Sequence, residues 1–473
     1  MHALTLSAPC KGWDEAGTHG RPEGMGENML KTDVTVIGEA LDESRIKPIH
    51  VRIFALISAG YFVDVIDYAV FGAMIPIMIH DHFATRGGLA IVGSAQLFGL
   101  AIGTLIQGQF TDRIGRKTIY QFNLLLFGLA TIGAGCAPDV LVLAILRFIA
   151  GLGLGAEQPL AFAYAGEFAP KRLRGRLLAL VHLIGGALSW PIAAILTLFL
   201  SDVLGWRAIW ICIGIGALIV FALRFSLPES PRWLASRGRS QDAFKTLEKM
   251  KIPAQPTGIE DAQIQPKSDP FMVVFRMYAR RMIMAAISLS CFFCVTIGLG
   301  TWLPNIMHSK GFTITKSLTY TFTMMLAVPC ASLCMMYALD KIGRKKTGTI
   351  AFIASSIMAV IFALATSNTE LLVAGFIMVF FYQIAGNTSQ IFTSEVFPTH
   401  ARASGFGMAA GIGRFATAIF IPILPWIQSS FGLYAVFFTI AALLCAAAVS
   451  LNFIGPETRI KSLEEIVART AHD

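Results

Sequence analysis

Charge is what this chain most lacks. Of its 473 residues, 14% are Asp, Glu, Lys or Arg, whereas a soluble chain carries about 25% to cover its surface. The shortage excludes almost any soluble enzyme, a disordered chain and a coiled coil. A cysteine framework is also missing. Most of the eight Cys lie in apolar stretches, where Cys behaves as a small hydrophobe. Cys291-x-x-Cys294 has metal-type spacing but no second pair and no nearby His, so a core role and no metal are expected. The first fifty residues contain no apolar core of a signal peptide and read as a soluble, poorly ordered tail. No strand precedes Gly151, Gly153 and Gly155, so they are not a phosphate loop; they let helices pack closely. No ATPase motif or other cofactor signature is present, so any transport draws on a gradient.

What is abundant is apolar. Hydrophobic residues make up 55% and mean hydropathy is +0.65. Runs long enough to cross a bilayer lie near 52–79, 89–110, 118–136, 139–161, 177–200 and 206–226. Six more lie near 281–304, 318–338, 347–366, 370–392, 404–427 and 432–455. They must be helices, because lipid cannot satisfy free backbone groups; the alternation of a β-barrel is absent. The expected fold is an all-α membrane protein of twelve transmembrane helices in two six-helix bundles. Its parts are a tail (1–51), a first bundle (52–226), a central loop (227–280), a second bundle (281–455) and a second tail (456–473). The net charge of +9 sits in short loops, which explains the high pI without nucleic acid. One set of loops holds Arg113, Arg116 and Lys117, Lys171 to Arg176, and Lys341 to Lys346; the other holds few bases. The basic side is expected to be cytoplasmic, with both termini there, in a multi-pass protein of the inner or plasma membrane.

The chain repeats itself at an offset of 228. Asp112-Arg-Ile-Gly-Arg-Lys117 recurs from Asp340. Glu167-x-x-Pro170-x-x-x-Arg174 recurs as Glu395-x-x-Pro398-x-x-x-Arg402, and Pro228-Glu229-Ser230 as Pro456-Glu457-Thr458. Two duplicated halves around a midplane site suit alternating access.

These motifs, with Gly108-x-x-x-Asp112, resemble the major facilitator superfamily over nearly all of 52–463; the second copy departs at Met336. Arg147-x-x-x-Gly151, Tyr164-x-x-Glu167 and Pro228-Glu229-Ser230-Pro231-Arg232-Trp233-Leu234 resemble its sugar-porter branch. The hexose signatures of helices 7 and 10 are absent. Helix 1, with Asp64, Asp67, Gly72 and Pro76, and Gly411-Ile-Gly413-Arg414 in helix 11, are similar to the aromatic-acid and metabolite:proton symporters. The resemblance implies that Asp67 carries a proton with Arg147 as partner. It also implies that the charged helix ends gate the cytoplasmic side: Asp112, Arg113, Arg116, Glu167, Arg174, Glu229, Arg232, Asp340, Arg344, Glu395, Arg402 and Glu457.

The residues themselves support part of this. Ionisable groups inside a membrane cost ~2.5–3.5 kcal/mol each on insertion scales. Asp64 and Asp67 share a face of helix 1, and Arg147 enters helix 4 to a similar depth. Proton coupling and a static ion pair are the two readings; the counterparts of Asp67, Arg147 and Glu157 at the 228 offset are Val295, Gly375 and Ala385, which favours coupling. Glu157 is a second proton site, a ligand for a cation, or the mate of a cytoplasmic-side base. Arg414 has no obvious mate in its own half; it binds a substrate carboxylate, or pairs with Glu395 or a helix-end carbonyl. Gln383, Asn387 and Gln390 line one face of helix 10, facing a cavity or bonding between helices. Gln158, His182, Tyr382 and Trp302 are further wall or packing residues. The expected function is proton-coupled symport of a small organic acid or related polar metabolite by a monomer in the lipid bilayer. The alternatives are a sugar or polyol porter and a non-transporting sensor.

Overall fold

A computed structural model of the chain describes residues 33–155, 157–257, 277–397 and 402–455. Side chains are not described within 107–114 and 336–341, nor at 202, 394 and 402–404. Among the described residues all regular structure is helical. The spans of the first half are Pro48–His80, Arg86–Ile106, Arg116–Gly135, Val140–Phe168, Arg174–Ser201 and Val203–Arg224. Those of the second are Ala279–Ser309, Ile314–Met335, Arg344–Leu364, Asn368–Thr393 and Gly405–Ile454, the last broken at Gly432, where the backbone leaves helical geometry. Counted with that break, twelve crossings bring Ile454 back to the face from which Pro48 starts. Large apolar side chains such as Ile91, Phe199, Val203, Ile219, Ile361 and Phe453 are exposed around the outside, as lipid-facing surface requires.

The repeat is visible in backbone detail. Gly115 (φ 118°, ψ 151°) and Gly343 (φ 91°, ψ 158°) each start a span, the third and the ninth. Both occupy a positive-φ region that other residues rarely adopt. Beside them the same ion pair forms twice: Arg116 Nε to Glu167 Oε1 at 2.7 Å, and Arg344 Nε to Glu395 Oε1 at 3.2 Å. Gly151, Gly153 and Gly155 do allow close packing. A Cβ at Gly151 would strike the Gln96 carbonyl, at Gly153 the Asn123 carbonyl, and at Gly155 the backbone of Gly103. The fourth span is thereby held against the second and third.

Residues 33–50 depart from the expected free tail. Asp33–Asp42 is a helix that buries Asp33, Ile37 and Leu41. It packs on two short helices of the central segment, Pro231–Ser236 and Ser240–Lys249. The cause is an apolar pair at i,i+4 on one face, clamped by charge. Asp42 Oδ1 accepts from Arg174 (2.5 Å) and Arg232 (2.7 Å). The central segment is therefore helical at its start and not wholly a loop.

Asp42→Ala is expected to free this helix: limited proteolysis in detergent should cut between residues 33 and 47 faster than in the parent protein. Equal cutting rates would show that Asp42 does not hold it.

Candidate functional site

A cavity with roughly 640 Å³ of space not occupied by atoms, part of it open to solvent, lies between the two halves. Tyr61, Tyr68, Gln158, His182 and Trp190 line it from the first half; Phe292, Phe293, Gln383, Asn387, Gln390 and Arg414 line it from the second. The halves also touch directly. Ser94 Oγ donates to the Ala418 carbonyl at 2.5 Å, and a Cβ at Gly72 would strike the backbone of Gly300 and Thr301.

Beside the cavity, the first half holds a buried ion pair. Arg147 Nη1 donates to Asp67 Oδ1 at 2.8 Å and Nη2 to Oδ2 at 2.6 Å, a bidentate contact with both side chains at zero exposure. The depths deduced from the sequence therefore meet. Gln96 closes a triangle: its Nε2 donates to Asp67 Oδ2 and its Oε1 accepts from Arg147, both at 2.7 Å. The guanidinium also lies 5.0 Å from the Trp210 ring centre. Asp64, one turn earlier, is buried and accepts from the Tyr68 hydroxyl. Tyr68 lines the central cavity and also a smaller one beside Gln96.

A second buried pair involves Glu157 of the fourth span, the first residue of the helix Glu157–Phe168. Glu157 Oε1 accepts from Arg224 Nη2 at 2.6 Å, with both side chains at zero exposure. Arg224 also stacks 3.6 Å from the Tyr120 ring centre and donates to the Leu56 carbonyl at 3.3 Å. Of the readings open for Glu157, pairing with a base is the arrangement present. Gly60 of the first span roofs this pair: a Cβ there would overlap the Arg224 guanidinium and the Glu157 carboxylate.

Arg414 crosses between the halves. It donates to the Thr104 hydroxyl, to the Gly155 carbonyl (3.0 Å) and to Gln158 Oε1 (3.1 Å). Among the described residues no carboxylate forms an ion pair with it, and Glu395 is taken by Arg344. Gln158 in turn donates to the Tyr61 hydroxyl at 3.1 Å. On the tenth span, Gln383, Asn387 and Gln390 all face the cavity. Asn387 lies 3.3 Å from His182 Nε2, and Gln383 Nε2 donates to Asn387 Oδ1 at 3.3 Å. Trp302 and Tyr382 are buried but do not line the cavity. At about 100° per residue, Trp302 lies about 140° around its helix from Ile297, and Tyr382 about 100° from Gln383. Trp190, Tyr61, Phe292 and Phe293 form the aromatic wall instead.

The charged helix ends mostly pair within their own half. Arg116 meets Glu167, and Arg344 meets Glu395. Arg174 and Arg232 meet Asp42, and Arg232 also reaches the Glu167 carbonyl at 3.3 Å. Glu229 accepts from the backbone N–H of Lys117. The side chains of Asp112, Arg113, Asp340 and Arg402, and all of Glu457, lie outside the described residues.

Gln96, Arg224, Tyr68, Thr104 and Asp42 were not singled out by the sequence. Arg224 carried a usable signal, since it falls inside the run 206–226. Gln96 and Tyr68 are uncharged, and nothing separates them from packing residues before the helices are assembled.

Comparison with known proteins gives a consistent picture. The family model described as "Sugar (and other) transporter" matches residues 54–469. The niacin transporter NiaP of Acinetobacter baylyi is 28% identical over 423 residues, covering 88% of this chain and 96% of that protein. The 4-hydroxybenzoate transporter PcaK of the same organism is 29% identical over 365 residues, covering 75% of this chain and 79% of its own length. Among solved structures, the xylose transporter XylE from E. coli, in a partially occluded inward-open conformation, superimposes with a TM-score of 0.72. That match has 19% identity and covers 88% of this chain and all of that one; it bears on the fold alone.

Gly60→Ala is expected to lower the thermal midpoint in detergent, since overpacking costs ~1–3 kcal/mol. Gly216→Ala, where a Cβ meets nothing within 4 Å, is the control. Equal midpoints would show that the first span is not pressed against the Glu157–Arg224 pair.

Proposed function

The chain belongs to the sugar (and other) transporter family of the major facilitator superfamily, and on that premise we propose that it carries a small organic acid with a ring, together with protons, by alternating access. That it is a multi-pass membrane transporter follows from the family. The substrate, the coupling, the site roles and the cytoplasmic placement of both chain ends are the proposal.

One observation carries the substrate class: the Arg414 guanidinium lines the cavity, and its hydrogen-bond partners there, Thr104, Gly155 and Gln158, are all neutral. A guanidinium buried this way favours an anion, and its planar fork suits a carboxylate. The flat apolar faces of Phe292, Phe293 and Trp190 on the same cavity suit a ring. The names of two relatives, a niacin and a 4-hydroxybenzoate transporter, agree with this choice.

For coupling, Asp67 is bonded to Arg147 and Gln96 in the arrangement described. Pulling the first and fourth spans apart would remove the guanidinium and leave a desolvated carboxylate, which binds a proton. Bringing them together would release it. Asp64, bonded to Tyr68 beside the cavity, is placed to sense whether the cavity is filled. The Glu157–Arg224 pair then acts as a fixed post between the fourth and sixth spans. The charged helix ends serve as cytoplasmic latches that keep each half rigid while the halves rock. The bundle boundaries at 52–226 and 281–455 follow from the same repeat.

In proteoliposomes, Asp67→Asn is expected to abolish uphill uptake of labelled 4-hydroxybenzoate driven by an inward proton gradient while sparing counterflow. Full uphill uptake would remove Asp67 from the coupling. Arg414→Gln is expected to raise the KM for ring acids at least tenfold, which is about 1.4 kcal/mol; an unchanged KM would exclude it as the anion seat.

A further inference from the structure

Gln383 is buried, at 5% exposure, and lines the cavity. Among the described residues its Oε1 has no hydrogen-bond partner. The direction of the neighbouring contacts follows from the donors. Asn387 Nδ2 approaches His182 Nε2 at 3.3 Å. An amide nitrogen only donates, so His182 accepts at Nε2. Asn387 must then present Oδ1 to Gln383, which gives its Nε2 to that oxygen at 3.3 Å. This leaves Gln383 one wholly unpartnered atom beside the cavity, the acceptor Oε1; its amide nitrogen keeps a second N–H. An unmatched buried acceptor is costly to leave. Thr296 also lines the cavity, and its hydroxyl, without a partner among the described residues, both donates and accepts, so it sets no polarity. Arg414 is tied to the second and fourth spans, whereas the Gln383 relay is tied to the fifth. The two recognition groups are thus anchored separately, with Phe292 and Phe293 on the same cavity.

We infer that Gln383 reads a hydrogen-bond donor on the substrate, so that the cavity selects a ring carboxylic acid bearing a hydroxyl or amine over the same acid without one. This rests on the ring-acid reading above. A substrate with a donor satisfies Oε1; benzoate leaves it desolvated and unpaired. Nicotinate, whose ring nitrogen only accepts, leaves Oε1 unpaired as well. Sites built to bond a polar substituent reject the analogue lacking it far more strongly than apolar pockets reject a missing methylene.

The test is competition binding to the full-length protein in nanodiscs, using 4-hydroxybenzoate, benzoate and nicotinate as probes. The parent protein is expected to favour 4-hydroxybenzoate over each of the others by about tenfold or more. In Gln383→Met, close in shape but without the acceptor, the ratio of affinities should fall to near one. Asn387→Leu, which frees Gln383 to turn, should lower it as well, so the outcome does not hang on one variant. A ratio near one in the parent, or a ratio unmoved in both folded variants, overturns the inference while ring-acid binding that depends on Arg414 leaves the substrate class standing. No binding of any ring acid by the parent overturns both.

Discussion

The contact on which the rest depends is the bidentate bond between Arg147 and Asp67, sealed by Gln96. Two opposite charges at zero exposure are stable only as a pair. Removing one partner from such a pair costs ~3–5 kcal/mol, because the other is left uncompensated. The pair therefore ties the first and fourth spans together while the carboxylate is ionised, and a proton is the cheapest substitute for the guanidinium when it leaves. Under the coupling proposed above, geometry and chemistry are one constraint: a rearrangement that separates the spans changes the protonation of Asp67.

The two halves share a backbone plan but not a chemistry. The glycine that starts the third and ninth spans and the Arg–Glu bridge beside it recur almost unchanged. The buried ion pairs do not: Val295, Gly375 and Ala385 stand where Asp67, Arg147 and Glu157 would be. Conversely, Arg414 and Gln383 occupy positions held in the first half by Gly186 and Gly155. The first half carries the two fully buried charge pairs, and the second adds Arg414 and the Gln383, Asn387 and Gln390 face to the cavity. Duplication supplied a symmetric frame, and each half specialised the interior of its own copy.

How much of this was legible in the sequence depends on the kind of signal. Twelve apolar runs and the 228-residue repeat gave the fold, because lipid permits few alternatives. Asp67 and Arg147 stood out because an ion in an apolar run needs a reason, and counting residues from the membrane faces brought them to one depth. Gln96 did not stand out, since a neutral amide is ordinary in a packed helix. Arg224 was missed, although it falls inside the run 206–226. The mates of Arg414 lie about 260 and 310 residues away, in the other half, where no periodicity could reach them. Trp302 and Tyr382 missed the wall for a simple reason: neighbours on a helix point about 100° apart. The role of Asp42 was hidden by a polar segment whose two apolar residues, Ile37 and Leu41, were too few to mark a helix.

Direct evidence on the central claim would come from proton movement itself. Protein reconstituted in lightly buffered vesicles, with no imposed gradient, would receive 4-hydroxybenzoate as its salt at a pH well above the acid's own pKa, with a pH electrode in the outer medium. An alkalinisation that scales with substrate taken up, and that is lost in Asp67→Asn, is the expected result. Substrate entry without any proton movement in the parent protein would contradict the exchange of Arg147 for a proton at Asp67.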